Sequence, residues 1–343
     1  MAAEGDWHRQ RRVTLADVAK RAHVSKALVS IVMRGAPGAS PATREKVFAA
    51  ARELGYRPDV RARSLASQRS ANQRSRIIGV VFGMAGSFHF DLLEGLYTYA
   101  DKHGYGLVLS ALTRGRDEQQ AVQSLNEFRF DALVMLGPAA RVPLMAGTVP
   151  VVVIGWQVDH PAVDVVRTSD ELGMEQGVAH LVALGHRKIA HIDGGRGLIA
   201  TSRRRAYRRA MRRHGLESDI RIYHGGETQL DGQRAARTML DEGDLPTAIV
   251  AFNDDEAVAA MGVLSQGGVD VPGRVSVIGW DDSDVARLSH VDLTSVAQQP
   301  LEMARLAIER IVARTERYSV QGRETVLEPH LVVRSSTGPP TRT

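Results

Sequence analysis

From residue 77 onward, short apolar runs alternate with amphipathic stretches of helical spacing, and that alternation leaves few folds open. The runs are IIGVVF (77–82), GLVLS (106–110), ALVML (132–136), VPVVVI (149–154), KIAHI (188–192), TAIVAF (247–252) and VSVIG (275–279). The spacing predicts helices over 88–103, 117–128, 170–184, 202–214, 230–242, 254–266 and 300–314. Strands separated by helices of this length form parallel βαβ units, with the helices covering the sheet faces. Two such arrays in succession predict a body of two doubly wound parallel-sheet α/β lobes with a cleft between them. Ligands of open α/β sheets bind outside the carboxyl ends of the strands. Polar residues that directly follow a strand are therefore the first candidates for ligand contact.

The segment 13–57 follows a different, purely helical pattern. Thr14 is placed to cap a helix reaching residue 22, with Leu15, Val18 and Ala19 on one face. Ser25 caps a second helix whose inward face is Val29 and Val32, which turns Lys26, Ala27, Ser30 and Ile31 outward. Ser40 followed by Pro41 is a strong start signal for a third helix, expected to run to Leu54 and end at Gly55. Two short helices joined by a tight turn, with a third behind them, are the layout of a helix-turn-helix head that reads the DNA major groove. Lys26 suits guanine acceptors or phosphate, Ala27 and Ile31 suit a thymine methyl, and Ser30 and Arg34 suit phosphates.

The charge distribution agrees with this reading. Residues 1–74 hold 15 Lys and Arg against 6 Asp and Glu, whereas the remainder holds 29 against 33. A basic head on a mildly acidic body fits a polyanion partner for the head alone.

Together VTLADVAKRAHVS…VS, SPATREKV and LGYRP resemble the amino-terminal signature of the LacI/GalR family of bacterial transcription regulators. The similarity continues more loosely to LEPHLVVRSST, covering roughly residues 12–337. The resemblance implies a disordered start (1–12), a DNA-binding domain (13–57), a hinge and linker (58–76), a two-lobed effector-binding and dimerisation body (77–337) and a tail (338–343). It implies a homodimer that binds a palindromic double-stranded DNA operator and responds to a small effector, most simply as a repressor released by a sugar or related polyol. It leaves open whether the effector induces or co-represses. Its DNA-contacting set is Thr14, Ser25, Lys26, Ala27, Ser30, Ile31, Arg34, Tyr56, Arg61, Arg63 and Leu65. In relatives a hinge leucine wedges into the minor groove, and Leu65 in ARSLAS matches it; such a wedge costs a few kcal/mol of unstacking. Two positions depart from the commonest pattern. His23 stands in the turn where glycine is usual, and Ile31 and Arg34 stand where many relatives have arginine and asparagine, which puts the usual operator sequence in doubt.

In the body, Arg203, Asn253, Asp281 and Gln298 match pocket positions of the family, and Phe88 and His89 match a helix start that touches ligand in relatives. An arginine fork beside a carboxylate and an amide suits several hydroxyls, or a carboxylate, at fixed geometry. Asn253 and Asp281 also suit helix caps, a role compatible with the first. Gly155 replaces a common aspartate, and Glu227 stands near the place of a cleft aromatic. Trp156 is then expected to supply a stacking face and Glu227 an acceptor or a charge.

Other readings are weaker. Asp254–Asp255 and Asp281–Asp282 are adjacent in sequence, so their carboxylates diverge and make poor acid–base pairs. His186 and His191 lack a third metal ligand, and no phosphate loop, nucleophile elbow or zinc-protease motif occurs. No enzyme activity, cofactor or metal is expected. There are no cysteines, hence no disulfide framework. MAAEGDWHRQRR has no apolar secretory core and no run approaches a membrane span, which predicts a cytoplasmic protein without a membrane partner. The alternatives are a soluble sugar-binding protein without a DNA role and a DNA-binding protein that ignores ligands.

Overall fold

The computed structural model describes residues 13–33, 37–56, 75–83, 88–113, 115–136, 148–316, 318 and 322–341. The chain separates into two compact units, residues 1–73 and 74–343.

The first unit holds α1 (Leu15–Ala22), α2 (Lys26–Met33) and α3 (Pro41–Glu53). Val18, Val29, Val32 and Val47 form its core, with Tyr56 and Leu54 packed at the margin. α3 ends one residue before the expected limit, with Leu54 as its cap and Gly55 in the left-handed region at φ 63°.

The second unit begins with β1 (Ile77–Gly83), α4 (Phe88–Lys102), β2 (Gly106–Leu112), α5 (Glu118–Leu125), β3 (Ala132–Leu136), β4 (Val151–Ile154) and β5 (Val163–Thr168). The chain then crosses to a second lobe: α6 (Asp170–Ala183), β6 (Ile189–Ile192), α7 (Leu198–Arg213), β7 (Arg221–Tyr223), α8 (Gln229–Glu242), β8 (Ala248–Ala251), α9 (Asp254–Gln266), β9 (Ser276–Asp281), α10 (Asp284–Arg287) and β10 (Thr294–Ala297). It returns to the first lobe as α11 (Pro300–Thr315) and β11 (Glu324–Leu327), and crosses a last time into β12 (His330–Val332). The first sheet has the order β11-β5-β4-β3-β1-β2 and every pairing is parallel. The second has the order β12-β10-β9-β8-β6-β7, parallel except where β12 runs against β10.

The central strands are covered on both faces, so every residue of β3, β4, β6 and β8 is buried. That is why their sequences are continuous apolar runs rather than alternations. Each large aliphatic side chain there contributes ~1.5–3 kcal/mol over leaving it in water.

Two expectations are corrected. The helix read over 300–314 belongs to the first lobe, where Met303, Ala307, Ile308 and Ile311 join the core of β1, β3 and β4. A Cβ on Gly95 would lie 2.7 Å from the Ala304 Cβ, so α4 and α11 approach too closely for any other residue there. The segment 338–343 is not a free tail as far as it is described. The Gly338 carbonyl accepts from the Ser276 hydroxyl at 3.0 Å and lies 2.8 Å from His186 Nε2, while Pro340 packs on Gly185. Among the described residues no helix is long and apolar enough to cross a membrane.

Candidate functional site

In the first unit, capping chemistry sets the geometry of the helix pair. Asp17 N donates to Thr14 Oγ1 at 3.4 Å while Thr14 N donates to Asp17 Oδ2 at 2.8 Å, a reciprocal box at the start of α1. α1 stops at His23, whose φ of 54° and ψ of 43° are left-handed, and Val24 N reaches back to the Ala19 carbonyl at 3.1 Å. Histidine thus takes the conformation for which glycine is usual. Leu28 N donates to Ser25 Oγ at 3.1 Å, which starts α2. Val29 and Val32 point inward, and Lys26 and Ala27 are exposed. Ser30 and Ile31 are half-buried rather than fully outward; the Ile31 Cγ2 lies 3.9 Å from where a Gly38 Cβ would stand. Tyr56 is half-buried, its amide donating to the Ala51 carbonyl at 2.9 Å. Arg21 pairs with Glu53 at 2.6 Å and ties α1 to α3. Arg34, Arg61, Arg63 and Leu65 lie outside the described residues. α2 therefore presents an amino-terminal turn with a lysine and a small residue outward, the geometry that fits base edges and phosphates.

In the second unit the residues expected at strand ends meet around Arg203 of α7. Its Nε donates to Asp170 Oδ1 at 3.1 Å, and one Nη donates to the Phe252 carbonyl. Its guanidinium carbon sits 4.2 Å from the Trp280 ring centroid and 4.6 Å from that of Phe252. The cation is clamped between two aromatic faces. Asn253, directly after β8, has two roles at once. Its Oδ1 accepts from Glu256 N at 2.8 Å and caps α9, while its Nδ2 donates to the Glu227 carbonyl at 3.1 Å. Asp281 ends β9 with φ 113°, a strained conformation for a residue with a Cβ, and its Oδ1 accepts from Gln298 Nε2 at 2.6 Å. α10 is capped at Ser283, so Asp281 has no capping role.

The carboxylates here are held away from their ordinary state. Burial pushes Asp281 well above the usual carboxylate range, opposed by Arg203 and reinforced by Asp254. Burial also raises Glu227 and Asp170, each partly offset by the Arg203 charge. Asp193 goes the other way. Burial works against its charge, but the amides of Gly195 (2.9 Å) and Gly225 (3.1 Å) and the guanidinium of Arg204 (2.8 Å) hold it below the usual value.

Asp170, Trp280, Phe252 and Asp193 carry no distinct signal in the sequence taken alone. Asp193 follows β6 directly, so the strand-end rule that found Asn253 and Asp281 also applies to it. Asp170 reads as an ordinary first-turn acid, and Trp280 and Phe252 as strand core. Trp156 does not offer an open stacking face. It is 6% exposed and packs with Val153, Val163 and Ile199. Phe88 and His89 start α4, half-buried, their rings edge-to-face at 6.2 Å. A cavity of about 480 Å³ opens beside Asp281 and Gln298, where Asp91 and Glu94 of α4 face Asp282, Asp284 and Arg287.

Comparison with known proteins matches residues 14–59 to the bacterial regulatory proteins of the lacI family and residues 178–337 to a periplasmic binding protein-like domain. The transcriptional regulator CelR of Thermobifida fusca is 33% identical over 96% of this chain and 99% of its own. GalR of Escherichia coli (strain K12) is 31% identical over 95% and 96%. The Lac repressor bound to ONPG in its repressed state superposes with a TM-score of 0.80 at 29% identity, covering 95% of this chain and 100% of that one.

Proposed function

The chain belongs to the LacI/GalR family of bacterial transcription regulators, and on that premise we propose that it is a cytoplasmic, homodimeric repressor switched by a small sugar-like effector. Two heads take the two halves of a palindromic operator, and the effector enters between the lobes. The observation that carries this reading is the cluster in which buried Arg203 and Asp170 meet buried Asn253 and Gln298 and half-buried Asp281 from the carboxyl ends of β8, β9 and β10, in a chain that also bears a helix-turn-helix head. CelR is known in complex with cellobiose, and the Lac repressor dimer bound to operator, which supports both halves of the reading.

In the head, Lys26, Ala27, Ser30 and Ile31 of α2 face the major groove. Thr14, Ser25 and Tyr56 stand at the helix ends for phosphate contact. Arg34, Arg61, Arg63 and the wedge Leu65 complete the set by sequence match. In the body, Arg203, Asn253, Asp281, Gln298 and Glu227 hold the effector, with Phe88 and His89 closing from the first lobe and Trp156 supporting the wall behind. Three connections cross between the lobes, after Thr168, Ala297 and Leu327. A ligand that touches both lobes sets their angle, and it shifts the DNA-binding equilibrium by its difference in affinity for the two angles.

Catalysis has no place in this reading. Asp254 spends its carboxylate on Ser283 N at 2.7 Å and Ser295 Oγ at 2.6 Å, while Asp255 turns to Gln229 at 3.1 Å.

Selection of bound duplexes from a random pool by the full chain tests the proposal. A two-fold symmetric consensus is expected, released by at least one sugar, with Leu65→Ala weakening the consensus far more than random DNA. Enrichment without symmetry, or equal losses for both DNAs, would overturn it.

A further inference from the structure

Apart from the head and the effector cleft, we infer that the outer face of α7 is a second DNA-binding surface, on which Arg205, Arg208 and Arg209 hold the phosphate backbone of duplex DNA whatever its sequence.

The sequence of α7, LIATSRRRAYRRAMRR, is rich in arginine and holds neither a lysine nor an acid. Its buried residues are Ala200, Arg203, Ala206, Tyr207, Ala210 and Met211. Tyr207, Ala210 and Met211 pack there with Met174, Val178 and Leu181 of α6. The helical period then turns Arg205, Arg208, Arg209 and Arg212 together to the opposite face, and all four are exposed. Each carboxylate that pairs with an arginine of this helix is matched to a different one. Asp170 takes Arg203 at 3.1 Å, Asp193 takes Arg204 at 2.8 Å, Glu217 takes Arg212 at 2.8 Å and Glu175 takes Arg213 at 3.4 Å. Arg205, Arg208 and Arg209 are left without an acidic partner among the described residues. Like charges three and four residues apart on a helix repel. Local energetics thus works against this face, and the packing of the inward side has to hold it.

Charge complementarity asks for a polyanion, and two features select duplex DNA. Arg205 to Arg209 span ~6 Å of helix rise. Phosphates of one strand follow every ~3.4 Å of axis, so three neighbouring forks can each take a phosphate of the same backbone. A guanidinium grips such a group bidentately. The body is also tethered to a head that binds DNA, so phosphate is the polyanion it meets at the highest local concentration. From residue 75 onward the chain holds 29 Lys and Arg against 33 Asp and Glu, and that sum hides the basic face. A polyanion partner for the head alone, as the bulk charge suggests, is thereby extended to the second lobe.

The test titrates the full chain into labelled random-sequence duplexes of about four helical turns, from about 50 to about 200 mM salt, and follows fluorescence anisotropy. Each phosphate contact adds ~0.9 to the slope of log affinity against log salt, so the loss of three makes the fall over that range roughly 40-fold smaller. The triple variant Arg205→Gln, Arg208→Gln, Arg209→Gln is expected to show that loss, and each single substitution about a third of the change in slope. Arg187, Arg237 and Arg274 are likewise exposed and lie outside α7. Changing these three to glutamine removes the same charge and should leave the slope as in wild type. Equal losses in the two triple variants would reduce the effect to net charge and overturn the surface. A wild-type slope in the α7 triple variant overturns it too; if that variant at the same time loses affinity for poly-glutamate, an acidic protein takes the place of DNA. A wild-type chain that binds no duplex at any salt overturns the surface together with the DNA-binding reading of the head.

Discussion

Arg203 Nε stands 3.1 Å from Asp170 Oδ1, and both side chains are buried, 5% and 9% exposed. The pair joins the first turn of α6 to the middle of α7, and it fixes the arginine against Phe252 and Trp280. Breaking a buried pair leaves one charge without a partner, at a cost of ~3–5 kcal/mol, whereas removing both charges is nearly neutral. Arg203→Met is therefore expected to lower unfolding stability by about that amount, and Arg203→Met combined with Asp170→Asn to recover most of it. Urea unfolding of the two variants against wild type measures the difference. Equal losses in the single and double variants would show that the aromatic clamp, not the ion pair, holds the arginine.

Glu256 gives the body a pH-dependent cost. It is fully buried, its Oε1 accepts from Gly226 N at 2.8 Å, and its Oε2 has no hydrogen-bond partner among the described residues. Burial pushes it up from 4.5 to about 8. A carboxyl raised in the folded state favours folding below the unfolded value of 4.5, and that advantage is lost as pH climbs towards 8. Glu256→Gln keeps the Gly226 bond and has no charge to suppress. It should match wild type at pH 4 and exceed it by roughly 3 kcal/mol at pH 7, since one unit is about 1.4 kcal/mol. Unfolding curves at the two pH values check this, and a constant gap between the proteins would refute it.

His191 acts on the opposite limb. It is fully buried, its Nδ1 lies 2.8 Å from the Val250 carbonyl, and its Nε2 has no partner among the described residues. Burial pushes it down from 6.5 to about 4. Its neutral form favours the fold above pH 6.5, and that contribution is lost as pH falls through the folded value near 4, at a total of roughly 3 kcal/mol. His191→Phe keeps a ring beside Tyr207, now 5.3 Å away, and cannot be charged. Its stability should change less than that of wild type between pH 6.5 and 4; parallel curves would remove His191 as the cause of acid loss.

Much of the fold is legible in the sequence, for reasons that also explain the misses. α9 falls on 254–266 as read, because Asn253 caps it and Gly267 follows its last turn. β5 has no continuous apolar run in the sequence because Asp164 and Arg167 interrupt it. In the folded chain Asp164 is buried and accepts from Arg314 at 2.8 Å and Arg310 at 3.2 Å, while Arg167 pairs with Glu324 at 2.6 Å. Those partners lie about 150 residues downstream, so no local pattern reveals them. α7 begins at Leu198 rather than 202 because its first turn carries no capping side chain, only Gly197 at φ 136°. In the site, Asn253 and Asp281 were readable from their places after strands. The clamp on Arg203 was not: Trp156, a plausible cleft aromatic by position, turns into the first lobe's core, and Trp280, a plausible core residue, faces the guanidinium.

His23 and Gly55 make a matched test of backbone strain within the head. Both end helices in the left-handed region, at φ 54° and 63°. The conformation costs an L-residue ~1–2 kcal/mol and glycine almost nothing. A Cβ on Gly55 would meet nothing within 4 Å, so Gly55→Ala introduces no clash and reports the conformation alone. It should destabilise the head by ~1 kcal/mol. His23→Gly should do the reverse, gaining ~0.5–1 kcal/mol after the larger chain entropy of unfolded glycine is subtracted. His23 is exposed, so little packing is lost with the ring. Amide hydrogen exchange within α1 and α3 of the full chain reads both changes without interference from the body. Faster exchange in Gly55→Ala and slower exchange in His23→Gly are expected. A loss of protection in His23→Gly would show that the imidazole makes contacts that outweigh its strain.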